Sequence, residues 1–227
     1  MSLYDLKDEK QAKEYLKNLG IEYRYQCFEE KNPEGCHRLA DFEEVFRKNF
    51  EKAAKVFRSN CDDFQYGHSC FKYGNFRLTG KGGEEKSSAA AFDYYNKGCS
   101  AGYMPACNNL AFLYGGGQIS HKKDYKQAAE YFDKACKGGN YISCFHLSGL
   151  YISGKENVIK KDMKKAFDYS KLGCDGGIFP ACVNLSQMYA KGEGVEKDEK
   201  RAEFYKNKAK DLHKQHTEKQ QNVTFGQ

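Results

Sequence analysis

The chain has 227 residues, with 37 Lys and Arg against 31 Asp and Glu, a formal charge of +6, and 40% hydrophobic residues. So small an excess, on a chain that is 30% charged, excludes the concentrated basic arm of a nucleic-acid binder. No run of about 18 apolar residues exists, so no transmembrane segment is expected, and the charged opening MSLYDLKDEKQ is not expected to act as a secretory signal.

Only 3 prolines, beside abundant Ala, Lys, Glu and Leu, argue for helix. Residues 1–32 are expected to form a helical N-terminal cap, with helices over 7–19 and 21–31. From residue 33 one unit recurs, at 33–63, 66–101, 103–138, 141–176 and 179–214, with a period near 37. Its first helix, A, follows a cysteine at which Leu39, Tyr73, Leu110, Leu147 and Leu185 stand three residues on. One residue further come the small Ala40, Gly74, Ala111, Ser148 and Ser186, and at plus six Phe42, Phe76, Leu113, Leu150 and Met188. These offsets mark a single helical face. Pro105 and Pro180 suit a first turn, where the missing N–H costs nothing. The second helix, B, carries Ala53, Ala91, Ala128 and Ala166, then Val56, Tyr94, Tyr131 and Tyr169 three residues later. Gly102, Gly139 and Gly177 end it. In the last unit Ala202 and Tyr205 keep the pattern, but Lys210 stands where the next cysteine belongs. Residues 215–227 lack core periodicity and are expected to be a disordered tail.

The 10 cysteines are Cys27, Cys36, Cys61, Cys70, Cys99, Cys107, Cys136, Cys144, Cys174 and Cys182, separated by 9, 25, 9, 29, 8, 29, 8, 30 and 8 residues. In the repeat frame each short pair joins the end of one helix B to the start of the next helix A. The phasing therefore predicts disulfides Cys27–Cys36, Cys61–Cys70, Cys99–Cys107, Cys136–Cys144 and Cys174–Cys182. A closed loop of this length adds roughly 2.5 kcal/mol in the chain-entropy model, useful to short repeats with a mean hydropathy of −0.85. Two alternatives stand beside disulfides. Structural zinc wants ligand pairs two to four residues apart, a spacing these pairs do not have. Ten buried free thiols would need no phasing at all.

The unit resembles the Sel-1-like repeat, a relative of the tetratricopeptide repeat. Tyr189-Ala-Lys-Gly-Glu-Gly-Val-Glu-Lys-Asp198, followed by Ala202 to Tyr205, carries the resemblance, as does Lys123-Asp-Tyr-Lys-Gln-Ala-Ala-Glu-Tyr-Phe-Asp-Lys-Ala-Cys136. The segments CFEEKNPEGC at 27–36, RKNFEKAAK at 47–55 and VTFG at 223–226, with the phased cysteines, are similar to a branch of that family from animal mitochondria. The similarity spans essentially the whole chain. It implies an all-α fold, a right-handed α-solenoid of about five Sel-1-like helix-turn-helix repeats stapled by disulfides. It also implies a non-enzymatic, protein-binding scaffold of the mitochondrial intermembrane space that helps assemble respiratory complexes, chiefly cytochrome c oxidase. The implied partners are respiratory complex subunits or assembly factors, with an import oxidoreductase during maturation, and haem is the cofactor the resemblance would bring. Disulfides independently ask for an oxidising compartment. The other readings are a β-lactamase-like or penicillin-binding hydrolase, after cysteine-rich bacterial proteins of the same repeat, and a secretory-pathway adaptor.

Residue patterns for chemistry are sparse. Lys81-Gly-Gly, Gly115-Gly-Gly117 and Lys191-Gly-Glu-Gly194 recur at the A–B turn without Walker spacing, so no phosphate site is expected. No serine sits in a G-x-S-x-G elbow or an S-x-x-K set. His37, His68 and His146 lie beside cysteines and are expected as surface or groove histidines; any of them could be a haem's axial ligand. His213 and His216 are expected on a solvated face. Asn184 and Asn222 match the glycosylation pattern, but Asn184 falls inside a helix A.

Overall fold

The structure, a computed structural model, describes residues 4–118, 122–155 and 158–224, without the side chains of 219–224. The chain divides into two compact units, Met1–Ala106 and Cys107–Gln227. The first holds α1 (Glu9–Phe28), α2 (Pro33–Val45), α3 (Phe50–Phe64), α4 (Gly67–Thr79) and α5 (Ser88–Ser100). The division falls within α6 (Met104–Gly116). The second unit continues with α7 (Tyr125–Lys137), α8 (Tyr141–Ser153), α9 (Met163–Asp175), α10 (Phe179–Lys191) and α11 (Glu199–Thr224). The fold is all-α, an α-solenoid of helix-turn-helix repeats in which even-numbered helices are type A and α3, α5, α7, α9 and α11 are type B.

Each B helix is started by a polar side chain four residues before the repeat's alanine. Asn49, Ser87, Asp124, Asp162 and Asp198 accept the backbone N–H of Lys52, Ala90, Gln127, Lys165 and Arg201 at 2.9–3.1 Å. Such caps satisfy donors that the first helical turn leaves orphaned. Three B helices end at Gly102, Gly139 and Gly177, with φ of 84°, 90° and 83°. A β-carbon there would meet nothing, so it is the left-handed backbone that asks for glycine.

The alanines and the A-helix residues three past the cysteine are the interior. Ala53, Ala91, Ala128 and Ala166 are at most 1% exposed, and so are Leu39, Tyr73, Leu110, Leu147 and Leu185. In the first unit Leu39, Ala53, Phe57, Tyr73 and Phe76 pack together. In the second, Ala111, Ala128, Phe132 and Leu147 form one cluster, while Ala166, Ala181, Leu185, Met188 and Ala202 form another.

The structure departs from the expected elements at both ends. One continuous helix covers 9–28 where two were expected. Gly20 does not break it, because its bare Cα is a packing contact: a β-carbon there would lie 2.9 Å from the Phe42 ring. At the other end α11 runs to Thr224, past the expected start of a disordered tail at 215. From 199 to 224 the chain has no Gly or Pro and many Lys, Glu and Gln, so nothing stops the helix where its core contacts end. Residues 225–227 lie outside the described residues. No described helix is long and apolar enough to cross a membrane.

Candidate functional site

The cysteines sit where one B helix hands over to the next A helix. S–S bonds join Cys27 to Cys36, Cys61 to Cys70, Cys136 to Cys144 and Cys174 to Cys182, with Cα–Cα distances of 4.3, 4.7, 4.8 and 4.7 Å. Cys99 and Cys107 are also disulfide-bonded, and no cysteine is free. All ten are 5% exposed or less. Exchange requires a thiolate to reach a sulfur, and burial denies that approach. Close packing supports the junctions: a β-carbon on Gly98 would lie 3.0 Å from Ala106, and one on Gly173 2.9 Å from Ala181.

The first unit contains a polar cluster that no sequence motif announced. His37 is buried rather than in a surface groove, at 5% exposure. Its Nδ1 lies 3.0 Å from Ser69 Oγ. Asn60 Nδ2 donates to that same oxygen at 2.7 Å and to the Pro33 carbonyl at 2.8 Å. Ser69 Oγ keeps a second lone pair and its own proton, so the direction of its bond to Nδ1 follows the imidazole tautomer. Burial, with Lys72 and His68 adding to it and Asp41 opposing, pushes the His37 pKa down to about 4. On the far side Nε2 is 3.3 Å from Asp41 Oδ2 without forming a hydrogen bond. His68 stacks against His37 with ring centroids 3.9 Å apart and against Tyr103 at 4.6 Å.

Ser69, His37 and Asp41 therefore have the composition of a catalytic triad, but the Ser69 hydroxyl has no exposure and is held on both sides. A nucleophile must reach its substrate. The arrangement instead ties α2, α3 and α4 together through Ser69 and Asn60, and leaves His37 Nε2 and Asn60 Oδ1 without hydrogen-bond partners.

Within the second unit, tyrosines of A and B helices stack in pairs. Tyr114 lies on Tyr131 at 5.5 Å, Tyr151 on Tyr169 at 5.8 Å and Tyr189 on Tyr205 at 5.6 Å. Tyr131, Tyr169 and Tyr205 are half-buried and pack against the core clusters. Tyr169 donates its hydroxyl to Asp133 at 2.7 Å, and burial together with that carboxylate pushes its pKa upward. Beside Tyr151 and Tyr169 opens a cavity of about 610 Å³ rimmed by Lys126, Lys160, Lys161 and Lys165.

His146 stands beside an apolar cavity of about 460 Å³ lined by Phe112, Phe132 and Leu150. Burial lowers its pKa, keeping the imidazole neutral as a ligand must be. These residues fit one axial haem ligand with apolar walls; His37 does not, since it is buried with its Nε2 turned onto Asp41. His213 lies on Phe179, ring centroids 4.8 Å apart, at the edge of α10. His216 lies further along α11. Asn184 is half-buried within α10, and the Asn222 side chain lies outside the described residues.

Comparison with known proteins agrees with this geometry. The Sel1 repeat family model matches residues 67–103, 105–140, 142–178 and 180–213. The segment 33–63 lies outside these matches, although α2 and α3 pack as the other repeats do. Cytochrome c oxidase assembly factor 7 of Xenopus tropicalis is 43% identical, over 99% of this chain and 99% of that protein. Those of Danio rerio and Homo sapiens are 44% and 41% identical over the same shares. Among solved structures, a Sel1 repeat protein from Oxalobacter formigenes superposes with a TM-score of 0.71 at 22% identity, covering 87% of this chain and 80% of that one.

Proposed function

Because the chain belongs to the Sel1 repeat family, and within it to the cytochrome c oxidase assembly factor 7 family, we propose that it acts in cytochrome c oxidase assembly as a protein-binding scaffold. The observation that carries this reading is end-to-end identity above 40% with proteins of that name from several vertebrates. The surface supports it: repeat helices present grooves, while the grouping of Ser69, His37 and Asp41 has its serine fully buried. Respiratory complex subunits or other assembly factors are the proposed partners.

The proposed compartment is the mitochondrial intermembrane space. Its support is the disulfides, which persist where thiols are oxidised, together with the family's name. A haem bound to this chain would be held by His146 against Phe112 and Phe132 and would supply a redox-active iron. Loss of the protein is expected to lower assembled oxidase while leaving mitochondrial translation intact. Normal oxidase in a clean knockout would overturn the assembly role. Release of the protein on rupture of the outer membrane alone tests the compartment.

A further inference from the structure

We infer that the groove between α10 and α11 receives an amphipathic helix from a partner protein, which takes the position of a next helix A. This deepens the scaffold reading and rests on it.

The chain's own repeats show what covers such a groove. In the preceding repeat Ser148 Oγ donates to the Ala166 carbonyl at 2.9 Å and has no exposure. Ser186 makes the same bond to the Ala202 carbonyl, at 2.8 Å, yet is only half-buried. Phe145 of α8 packs into the cluster holding Ala181 and Leu185 of the following A helix. Its equivalent in α10, Val183, is 39% exposed. Gly173 has Ala181 of the next A helix against it, as Gly98 has Ala106. The equivalent residue in α11, Ala209, instead lines an open groove of about 400 Å³ with Phe179 and Val183. Lys210 replaces the cysteine that would have anchored that next helix.

The chemistry of the occupant follows from the walls. The floor asks for the A-helix pattern of a small residue facing Ala209 and a Leu three or four residues later. The rim carries Lys206, Lys210 and His213, and no carboxylate lines the groove. The partner helix therefore carries Asp or Glu along its flank. A second copy of this chain supplies no such element from its other end, since α1 is followed directly by an A helix already packed on it.

The test uses the full oxidised chain carrying Lys210→Cys. The probe is a peptide copying Phe179–Lys191, with a chloroacetamide at the position of Cys182 and Glu on the flank that would face the lysines. If the peptide docks in register, the thiolate at 210 displaces chloride at least about tenfold faster than one at exposed Lys200→Cys on the same helix, as a raised effective concentration requires. Adding Val183→Glu should return the rate to that of the control, and salt should slow only the docked reaction. Circular dichroism of the variants guards against misfolding, and fluorescence anisotropy of the same peptide on the unmodified chain gives a second reading. Equal rates at 210 and 200, with no saturable anisotropy change, would overturn the proposal. So would concentration-dependent dimerisation that Val183→Glu abolishes, which would assign the groove to a second copy. Normal oxidase levels in cells bearing Val183→Glu, beside a defect in the knockout, would leave the assembly role standing and remove the groove from it.

Discussion

Replacing Cys174 and Cys182 together by alanine separates the staple from the packing around it. The two residues are 8 apart in sequence, both have no exposure, and both belong to the cluster of Ala166, Ala181, Leu185, Met188 and Ala202. Loop closure alone is worth roughly 2.5 kcal/mol for a loop of this length. Removing two buried sulfur atoms adds a further ~1–2 kcal/mol of lost packing. Reducing the wild-type bond keeps the sulfurs and should forfeit only the first amount. In a repeat array the loss is felt by the repeats that share the junction, so a global melting temperature is the wrong reading. Amide hydrogen exchange is the assay. Amides of α10 that open through this junction should exchange roughly 70-fold faster on reduction, taking 1.36 kcal/mol per factor of ten, and faster again in the double alanine variant. Amides of α3 should not change in the double alanine variant, whose Cys61–Cys70 bond is intact. If reduction altered α10 exchange by less than about threefold, the helices would be held by packing alone and the staple reasoning would fail.

Glu43 is 1% exposed and faces Arg47 at 3.1 Å, Lys52 at 2.8 Å and Arg24 at 3.9 Å. Because those cations remain partly solvated, Glu43→Gln should cost about 1–3 kcal/mol, seen as a lower urea midpoint with an unchanged slope. His37 gives a pH dependence: its folded pKa, near 4, lies below the unfolded 6.5, so the folded state binds fewer protons in between. Stability should be complete above pH 6.5 and decline toward pH 4, by on the order of 3 kcal/mol from this group, with His68 shifted in the same sense. Equal urea midpoints at pH 7 and 5, or an unchanged pH slope in His37→Gln, would contradict it. Gly74→Ala should destabilise by about 1–3 kcal/mol, since its β-carbon would lie 2.6 Å from the buried Tyr95 ring. Gly149→Ala, in helix α8 with open space, should instead gain roughly 0.5–1 kcal/mol, seen as a higher urea midpoint.

The interior was legible because it is periodic. Small residues at 0% exposure such as Ala53, Ala91 and Ala166 recur at a fixed distance from a cysteine, and one spacing argument reaches them all. The caps were equally periodic, four residues before each alanine, but Asn, Ser and Asp fill one role by a shared side-chain oxygen, which identity matching passes over. The break expected between 19 and 21 is absent because a glycine that interrupts a helix and one that admits a ring look alike until Phe42 is in place. The Ser69, His37, Asp41 and Asn60 cluster joins residues up to 32 apart on separate helices, and although Ser143 meets Asn108 at the matching positions of a later repeat, the changed partner hid the pattern. The open groove was half-visible: Lys210 marked the missing cysteine, but only the exposure of Val183 shows an apolar floor left behind.

The placement of the cysteines bears on how the chain becomes oxidised. Each cysteine has a partner 8 or 9 residues away and no other cysteine nearer than 25. Random-coil encounter frequency falls with about the three-halves power of loop length, so the near partner is met roughly sevenfold more often than the far one. Competition at each junction is thus decided locally, before any tertiary structure exists. A bond can close as soon as its own hairpin has emerged, in any order relative to the others. A chain threaded end-first past an oxidant would therefore acquire its bonds one junction at a time, with little need for reshuffling.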